Sequence, residues 1–263
     1  MILQKQRFIK KKTDKGEFYF YKKPSQKIKT ADLIKEHIPN ILSKITWNKS
    51  MKWGNYNLFW GRPLKSLLCI YDGKKLDFNF NHLKSSNITF IDKELEEKTK
   101  GFSSFKSYNS FFKSQGVLID QEKRKSFISN EIIKLSNKKK INIKLKKELL
   151  EEITNIVEKP KVLLCEFDKK YLMMPKEILI ITMQSHQKYF PTFDNKENLT
   201  NNFIVVADKK DPKGFVKLGN ERVIEARLND AEFFWKKNRS QNLVKQVSKL
   251  KNVNYFKGLG TYF

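Results

Sequence analysis

The stretch "KVLLCEFDKKYLMMPKEILIITMQSHQKYFPTFDNKENLTNNFIVVAD", Lys161 to Asp208, decides the fold, because it passes from strand to helix periodicity and back. "KVLLCEF", Lys161 to Phe167, is a short unbroken apolar run and reads as a buried strand. Pro175 then opens a helix in the permissive first-turn position, and "KEILIITMQSHQ" continues it. "KYFPTFD" and "NFIVVAD" follow as strands, separated by the turn-rich "NKENLTN". Helices and strands alternate without a regular βαβ repeat. That order predicts an α+β fold with mixed or antiparallel sheets and packed helices, not a doubly wound sheet.

Upstream, Leu145, Leu149, Leu150, Ile153, Ile156 and Val157 recur at helical spacing as far as Pro160, which stops that helix. Residues 93–147 are rich in Lys, Ser, Glu and Asn with fewer apolar anchors, and read as a looser, basic helical connector. Within it "NKKKINIKLKK", Asn137 to Lys147, is a solvated stretch that can also touch phosphate. Earlier still, "GEFYFYKK", Gly16 to Lys23, reads as a strand. A helix follows, capped by Thr30, with Leu33, Ile34, Ile38, Ile41, Leu42 and Ile45 on one stripe and Pro39 kinking it. "PLKSLLCIYDGKKLDFNF", Pro63 to Phe80, reads as a hairpin, since Asp72-Gly73 supplies the positive backbone angles of a tight turn. The expected organisation is an N-terminal α+β lobe over residues 1–92, the connector over 93–147 and a C-terminal α+β lobe over 148–263.

"GNERVIEARLNDAEFFWKKNR", Gly219 to Arg239, reads as a long amphipathic helix. Asn220 is its expected cap, and Glu221 lies near its positive end. Ile224, Leu228, Ala231 and Trp235 form the core stripe, while Arg222, Glu225, Asn229, Glu232 and Lys236 face solvent. Between them run Val223, Arg227, Asp230 and Phe234, with Arg227 and Asp230 one turn apart and placed to pair at a half-buried edge. Two roles stay open for Arg227: bracing the helix, or meeting RNA or a partner chain.

The charge is lopsided, with 54 Lys and Arg against 28 Asp and Glu, a formal net charge of +26. A polyanion is the natural partner of such a surface, nucleic acid ahead of acidic membrane. The surplus is mostly Lys beside Asn and Ile, which AT-rich coding also produces, so drift and function both remain as its origin. Cys69 and Cys165 each sit alone in an apolar run, as small core residues of a reducing compartment do. The longest apolar runs fall well short of the roughly 20 residues that span a bilayer. "MILQKQRFIKKK" lacks a signal-peptide core, and the expected location is the cytosol.

Catalytic signatures are missing. No phosphate-binding glycine loop, nucleophile elbow or paired-histidine zinc helix occurs, and "GLG", Gly258 to Gly260, is too short to mark a nucleotide site. His37, His82 and His186 have no spacing that gathers them on a metal; His186 follows Met183 on the Leu179 face and reads as a packed histidine. "MKWGNYNLFWGRP", Met51 to Pro63, combines aromatic rings with Lys52 and Arg62, which suits both base stacking with phosphate contact and a core strand. The residues alone describe a basic binding module.

The order of motifs goes further. "MKWG" and "GRP", "LLEEITNIVEKP", "MPKEILIITMQSHQKYFP", "NFIVVAD", "GNERVIEARLNDAEFFWKKNR" and "LGT" together resemble the β subunit of bacterial glycyl-tRNA synthetase, the two-chain type, over nearly the whole chain. The resemblance implies that the long helix is structural in a tRNA-handling chain. It implies partners, the synthetase α subunit and tRNA(Gly), in an α2β2 assembly without a membrane. Glycine activation, a class II reaction using ATP with Mg, is implied to occur in the α subunit, so no catalytic residue and no cofactor are expected in this chain. For tRNA or subunit contact the matching strings point to Arg62, Lys188, Arg222 and Arg227, without separating contact from bracing. "FIDKELEEKTKGF", Phe90 to Phe102, replaces a "GHRF"-like family string. The family pattern also has a preceding "GTEELP"-like segment and following HD-like and anticodon-binding domains, so the chain is expected to be an internal fragment of the subunit. A free-standing basic RNA-binding module and a non-functional remnant are the alternatives.

Overall fold

A computed structural model describes residues 8–21, 27–91, 98–256 and 258–263. The fold is α+β, with antiparallel and mixed sheets. Two compact units meet in sequence between Tyr108 and Asn109.

The first unit is assembled from short strands. β1 (Phe8–Thr13) and β2 (Gly16–Tyr21) pair antiparallel; Lys22 and Lys23 of the expected strand lie outside the described residues. α1 (Thr30–Ser43) contains Pro39 without ending there. Lys29, not Thr30, occupies its cap position, and Ile45 falls beyond its end. β3 (Met51–Lys52) pairs with β4 (Phe59–Trp60). β5 (Leu67–Leu68) runs parallel to a later strand, and β6 (Ile70–Tyr71) turns back as β7 (Lys74–Lys75). The turn is the expected Asp72-Gly73, with φ of 49° and 71°. β8 (Asn79–Phe80) and β9 (Leu83–Ser86) form a second hairpin, and β9 is the parallel partner of β5. β10 (Ile88–Phe90) pairs with β11 (Thr99–Gly101). Ser85, buried, ties these pieces together: its hydroxyl donates to the Leu76 carbonyl at 2.6 Å and accepts from the Phe78 amide at 2.8 Å.

α2 (Phe105–Ser114) crosses the division between the units. The second unit is then built on a four-stranded antiparallel sheet. Its elements are α3 (Gln121–Lys139), β12 (Asn142–Ile143), α4 (Lys147–Ile156), β13 (Lys161–Glu166), α5 (Lys176–Ile181), β14 (Phe190–Phe193), β15 (Leu199–Ala207) and α6 (Phe215–Ser240). The strand order is β12-β14-β15-β13.

The sheet is covered on both faces. Alternate residues of β13 and β15 point to opposite layers. Val162, Leu164, Ile204 and Val206 pack with Ile128 and Ile132 of α3 and with Leu149, Leu150 and Ile153 of α4. Leu163, Cys165, Phe203 and Val205 pack instead with Leu179 and Met183 and with Ile224 and Leu228 of α6. Double-sided burial is why these strands read as unbroken apolar runs. It also places α3 in the core of the second unit, although the segment 93–147 reads as loose: Ile128 and Ile132 are fully buried and Leu135 packs beside them, in a helix that is otherwise mostly polar. Pro191 is accommodated in β14 beside a shift in register against β15, opposite a stretch that β12 does not reach.

α5 continues into a widened π turn, Thr182–His186. The extra residue in that turn rotates His186 out of the Leu179 and Met183 line, so the expected packed histidine is exposed to solvent.

Candidate nucleic-acid interface

α6 begins earlier than its sequence suggests. Gly214, at φ 73°, takes the cap position, and the Asp211 carboxylate accepts from the Val216 and Lys217 amides at 3.0 and 2.8 Å. Asn220, the expected cap, therefore lies inside the helix. Its side-chain oxygen accepts from the Tyr189 hydroxyl at 2.7 Å, and its amide donates to the Val216 carbonyl at 2.7 Å. Glu221 accepts the Glu166 amide at 2.9 Å, and Asn229 accepts the Tyr171 hydroxyl at 2.7 Å. Three polar side chains of the signature stretch thus fasten α6 to the sheet layer and its turns.

This environment silences the nearby ionisable core. Burial, with the Glu221 charge adding to it, pushes the Cys165 thiol up to about 12. Burial likewise pushes the Tyr189 hydroxyl up to about 12, with Cys165 contributing. Both groups stay protonated at neutral pH and act as packing and hydrogen-bonding groups. The two cysteines are free thiols. Among the described residues no three His, Cys, Asp or Glu side chains converge into a metal-binding group.

The opposite side of α6 is outward-facing. Arg222, Val223, Arg227, Asp230, Phe233 and Phe234 are all exposed. The expected Arg227–Asp230 ion pair at a half-buried edge is not formed, because that line of the helix lies in solvent, where little is gained by fixing two side chains. The pairs that do form along this helix, Lys217–Glu221 at 3.5 Å and Lys236–Glu232 at 2.5 Å, each involve a half-buried carboxylate. Lys188 has a different setting: its backbone is left-handed, at φ 61°, and its ammonium meets Glu152 of α4 at 3.0 Å. Lys188 braces the β14 entry against α4, whereas Arg222 and Arg227 form no ion pair with a described residue.

Arg62 lies in the first unit, exposed and without an ion pair to any described residue. The stretch around it forms a site that the sequence only partly marked. A cavity of about 460 Å³ opens between the β3–β4 loop, the segment after β4 and the β8–β9 hairpin. Its apolar walls include Trp53, Leu58, Leu64, Leu83 and Phe90. Tyr56, His82 and Lys65 also line it. The Trp53 indole donates to the Trp60 carbonyl at 3.0 Å, and Trp60 meets Phe80 edge to face. Gly61 is required here, since a Cβ at that position would stand 2.9 Å from the Trp47 ring.

Tyr56 and His82 stack, with ring centroids 3.6 Å apart and planes 8° from parallel. Asn81, left-handed at φ 52°, holds this pair in place. Its amide donates to the Asn57 carbonyl at 3.1 Å, and its oxygen accepts the His82 backbone amide at 3.0 Å. That oxygen is also 3.2 Å from His82 Nδ1. Reading Met51 to Pro63 alone finds the tryptophans and Arg62, but His82 and Lys65 come from other segments and meet them only in the fold.

Comparison with known proteins adds a separate line. The family model described as glycyl-tRNA synthetase beta subunit matches residues 3–263. The chain is 35% identical over 244 residues to the glycine–tRNA ligase beta subunit of Rickettsia akari, covering 92% of this chain and 37% of that protein. It is 34% identical over 250 residues to the protein of the same name from Dictyoglomus thermophilum, covering 95% of this chain and 36% of that protein. The chain thus spans little more than a third of the length of these curated relatives.

Proposed function

The chain belongs to the glycyl-tRNA synthetase β-subunit family, and on that premise we propose that it is the β-subunit portion of a glycine–tRNA ligase that holds tRNA(Gly) and the catalytic α subunit. Glycine activation with ATP and Mg²⁺, in the manner of a class II synthetase, takes place in the α subunit, within an α2β2 assembly in the cytoplasm. This chain contributes binding and orientation to that reaction, and supplies no reacting group.

The observation that carries the reading is the division of α6. Asn220, Glu221 and Asn229 are spent on anchoring, which leaves Arg222 and Arg227 exposed with no acidic partner among the described residues. Unpaired arginines on a rigid helix suit bidentate contact with phosphate, and the net charge of +26 draws a polyanion to the surface. Arg62 supplies an equivalent exposed cation in the first unit. Lys188 enters as a positioning residue through Glu152. Among the described residues no helix is long and apolar enough to cross a membrane.

The test is glycylation of tRNA(Gly) by the cognate α subunit with and without this chain, run beside co-elution of the two. A rise in charging with co-elution is expected; no rise and no co-elution would overturn the reading. In tRNA binding, Arg222→Ala and Arg227→Ala should each weaken affinity and shallow the salt dependence by about one unit of slope per lost phosphate contact. Unchanged slopes would return both arginines to a bracing role.

A further inference from the structure

We propose that the cavity of the first unit binds one unpaired nucleotide of an RNA, its base against the Tyr56–His82 platform and its phosphate toward Lys65 and Arg62. The proposal rests on the reading of the chain as a tRNA-handling subunit and assigns a place and a structural class to part of that contact.

Size comes first. About 460 Å³ lies within the roughly 300–1,000 Å³ of small-ligand sites, and it is far too small for a helical segment of RNA. Chemistry narrows the ligand. Among the described lining residues the walls are aromatic and aliphatic, and the Lys65 ammonium lies over the Phe90 ring, 5.6 Å from its centroid. A flat, polarizable group joined to an anion matches that arrangement, and a nucleobase with its phosphate is such a group.

Preorganisation supports the same ligand. Tyr56 and His82 are already parallel, and Asn81 fixes both the hairpin turn and, through Asn57, the loop that carries Tyr56. The rings therefore need no further ordering to receive a base, which favours binding. Tyr56 remains half exposed, so the stack is open to solvent at the rim and not closed inside a core. A paired base has both faces covered by its neighbours in the helix. Only an unpaired or extruded base can stack here.

The experiment uses the 263-residue chain with a fluorescent single-stranded oligoadenylate, a blunt RNA duplex of equal length, and tRNA(Gly). The single strand should bind more tightly than the duplex. Tyr56→Ala should weaken the single strand about tenfold and leave the duplex unchanged, while Tyr56→Phe, which keeps the ring, should retain affinity. A photoreactive thio-substituted base in the oligonucleotide provides a check independent of any variant, with crosslinks expected at Tyr56, His82 or Trp53. If the chain binds tRNA but the Tyr56→Ala variant, correctly folded, binds all three RNAs as wild type does, the cavity assignment falls and the tRNA-binding reading stands. If the wild-type chain binds no RNA, both fall. AMP binding as tightly as the oligonucleotide would overturn the RNA assignment in favour of a free nucleotide, and crosslinking of these residues to the α subunit would overturn it in favour of a protein contact.

Discussion

β15 in the second unit runs for 9 residues and is buried on both faces, whereas the longest strand beside the cavity of the first unit, β9, has 4. Ile128, Ile132, Phe190, Phe203, Ile204, Ile224 and Leu228 are wholly inaccessible in the second unit. Among the described residues of the first, the buried hydrophobics are Leu76, Phe80 and Phe102. A sheet clamped between helix layers must hold one arrangement, because each of its side chains is wedged on two sides. Short strands joined by turns leave rings at the surface. The second unit is built to hold a shape, and the first to present one.

The strongest way to break that contrast is Leu228→Ala. Truncating a fully buried leucine between α6 and the sheet should cost about 2–5 kcal/mol, measured by denaturant unfolding of the whole chain. Leu76→Ala, in the first unit, should fall at the lower end of that range. Equal losses, or a larger one at Leu76, would remove the distinction.

Asn220→Ala sharpens it at the level of polar anchoring. The variant removes the acceptor of the Tyr189 hydroxyl, which burial keeps protonated, and should cost about 1–3 kcal/mol. If stability is unchanged, solvent reaches Tyr189 and α6 is held by its apolar face alone.

The smallest effect is expected at Asp211 and depends on pH. Burial opposes the charged carboxylate, but the amides of Lys217, Val216, Phe215 and Gly214 outweigh it and hold its pKa below the ordinary value. A depressed folded pKa contributes stability in full above the unfolded value and loses it as pH falls through the folded one. Asp211→Asn should therefore be less stable than wild type at neutral pH, with the difference closing below about pH 4. A constant difference across that range would show that the charge is not what caps α6.

The sequence disclosed most where a residue's neighbours are local or its burial is complete. β13, β14 and β15 were readable because double-sided burial needs apolar residues at successive positions, and Asp72-Gly73 because the turn demands those angles from those residues. The division at Tyr108 was not readable. α3 joins the second unit with Ile128 and Ile132 as its two fully buried side chains, set in a helix rich in Lys, Ser and Asn. Capping by Asp211 was hidden because Pro212, Lys213 and Gly214 separate it from the helix it serves, while Asn220 imitates a cap from inside. Arg124 carried no sequence signal at all, although its guanidinium meets the carbonyls of Thr154 and Leu118 and joins α3 to the end of α4. The cavity was half visible: Trp53 and Tyr56 stand in one aromatic string, but nothing local pairs Tyr56 with His82.

The bond from the Glu166 amide to Glu221 also bears on how the protein survives at high concentration. Among the described residues β13 is an outer strand of its sheet, and an outer strand invites pairing with any extended chain that drifts past. Glu166 pairs in register with Asn202 on one side, yet its amide is given to a carboxylate from α6. An intruding strand would have to displace that carboxylate and settle beside its negative charge. The helix that covers one face of the sheet thereby also guards the molecule against joining itself into aggregates.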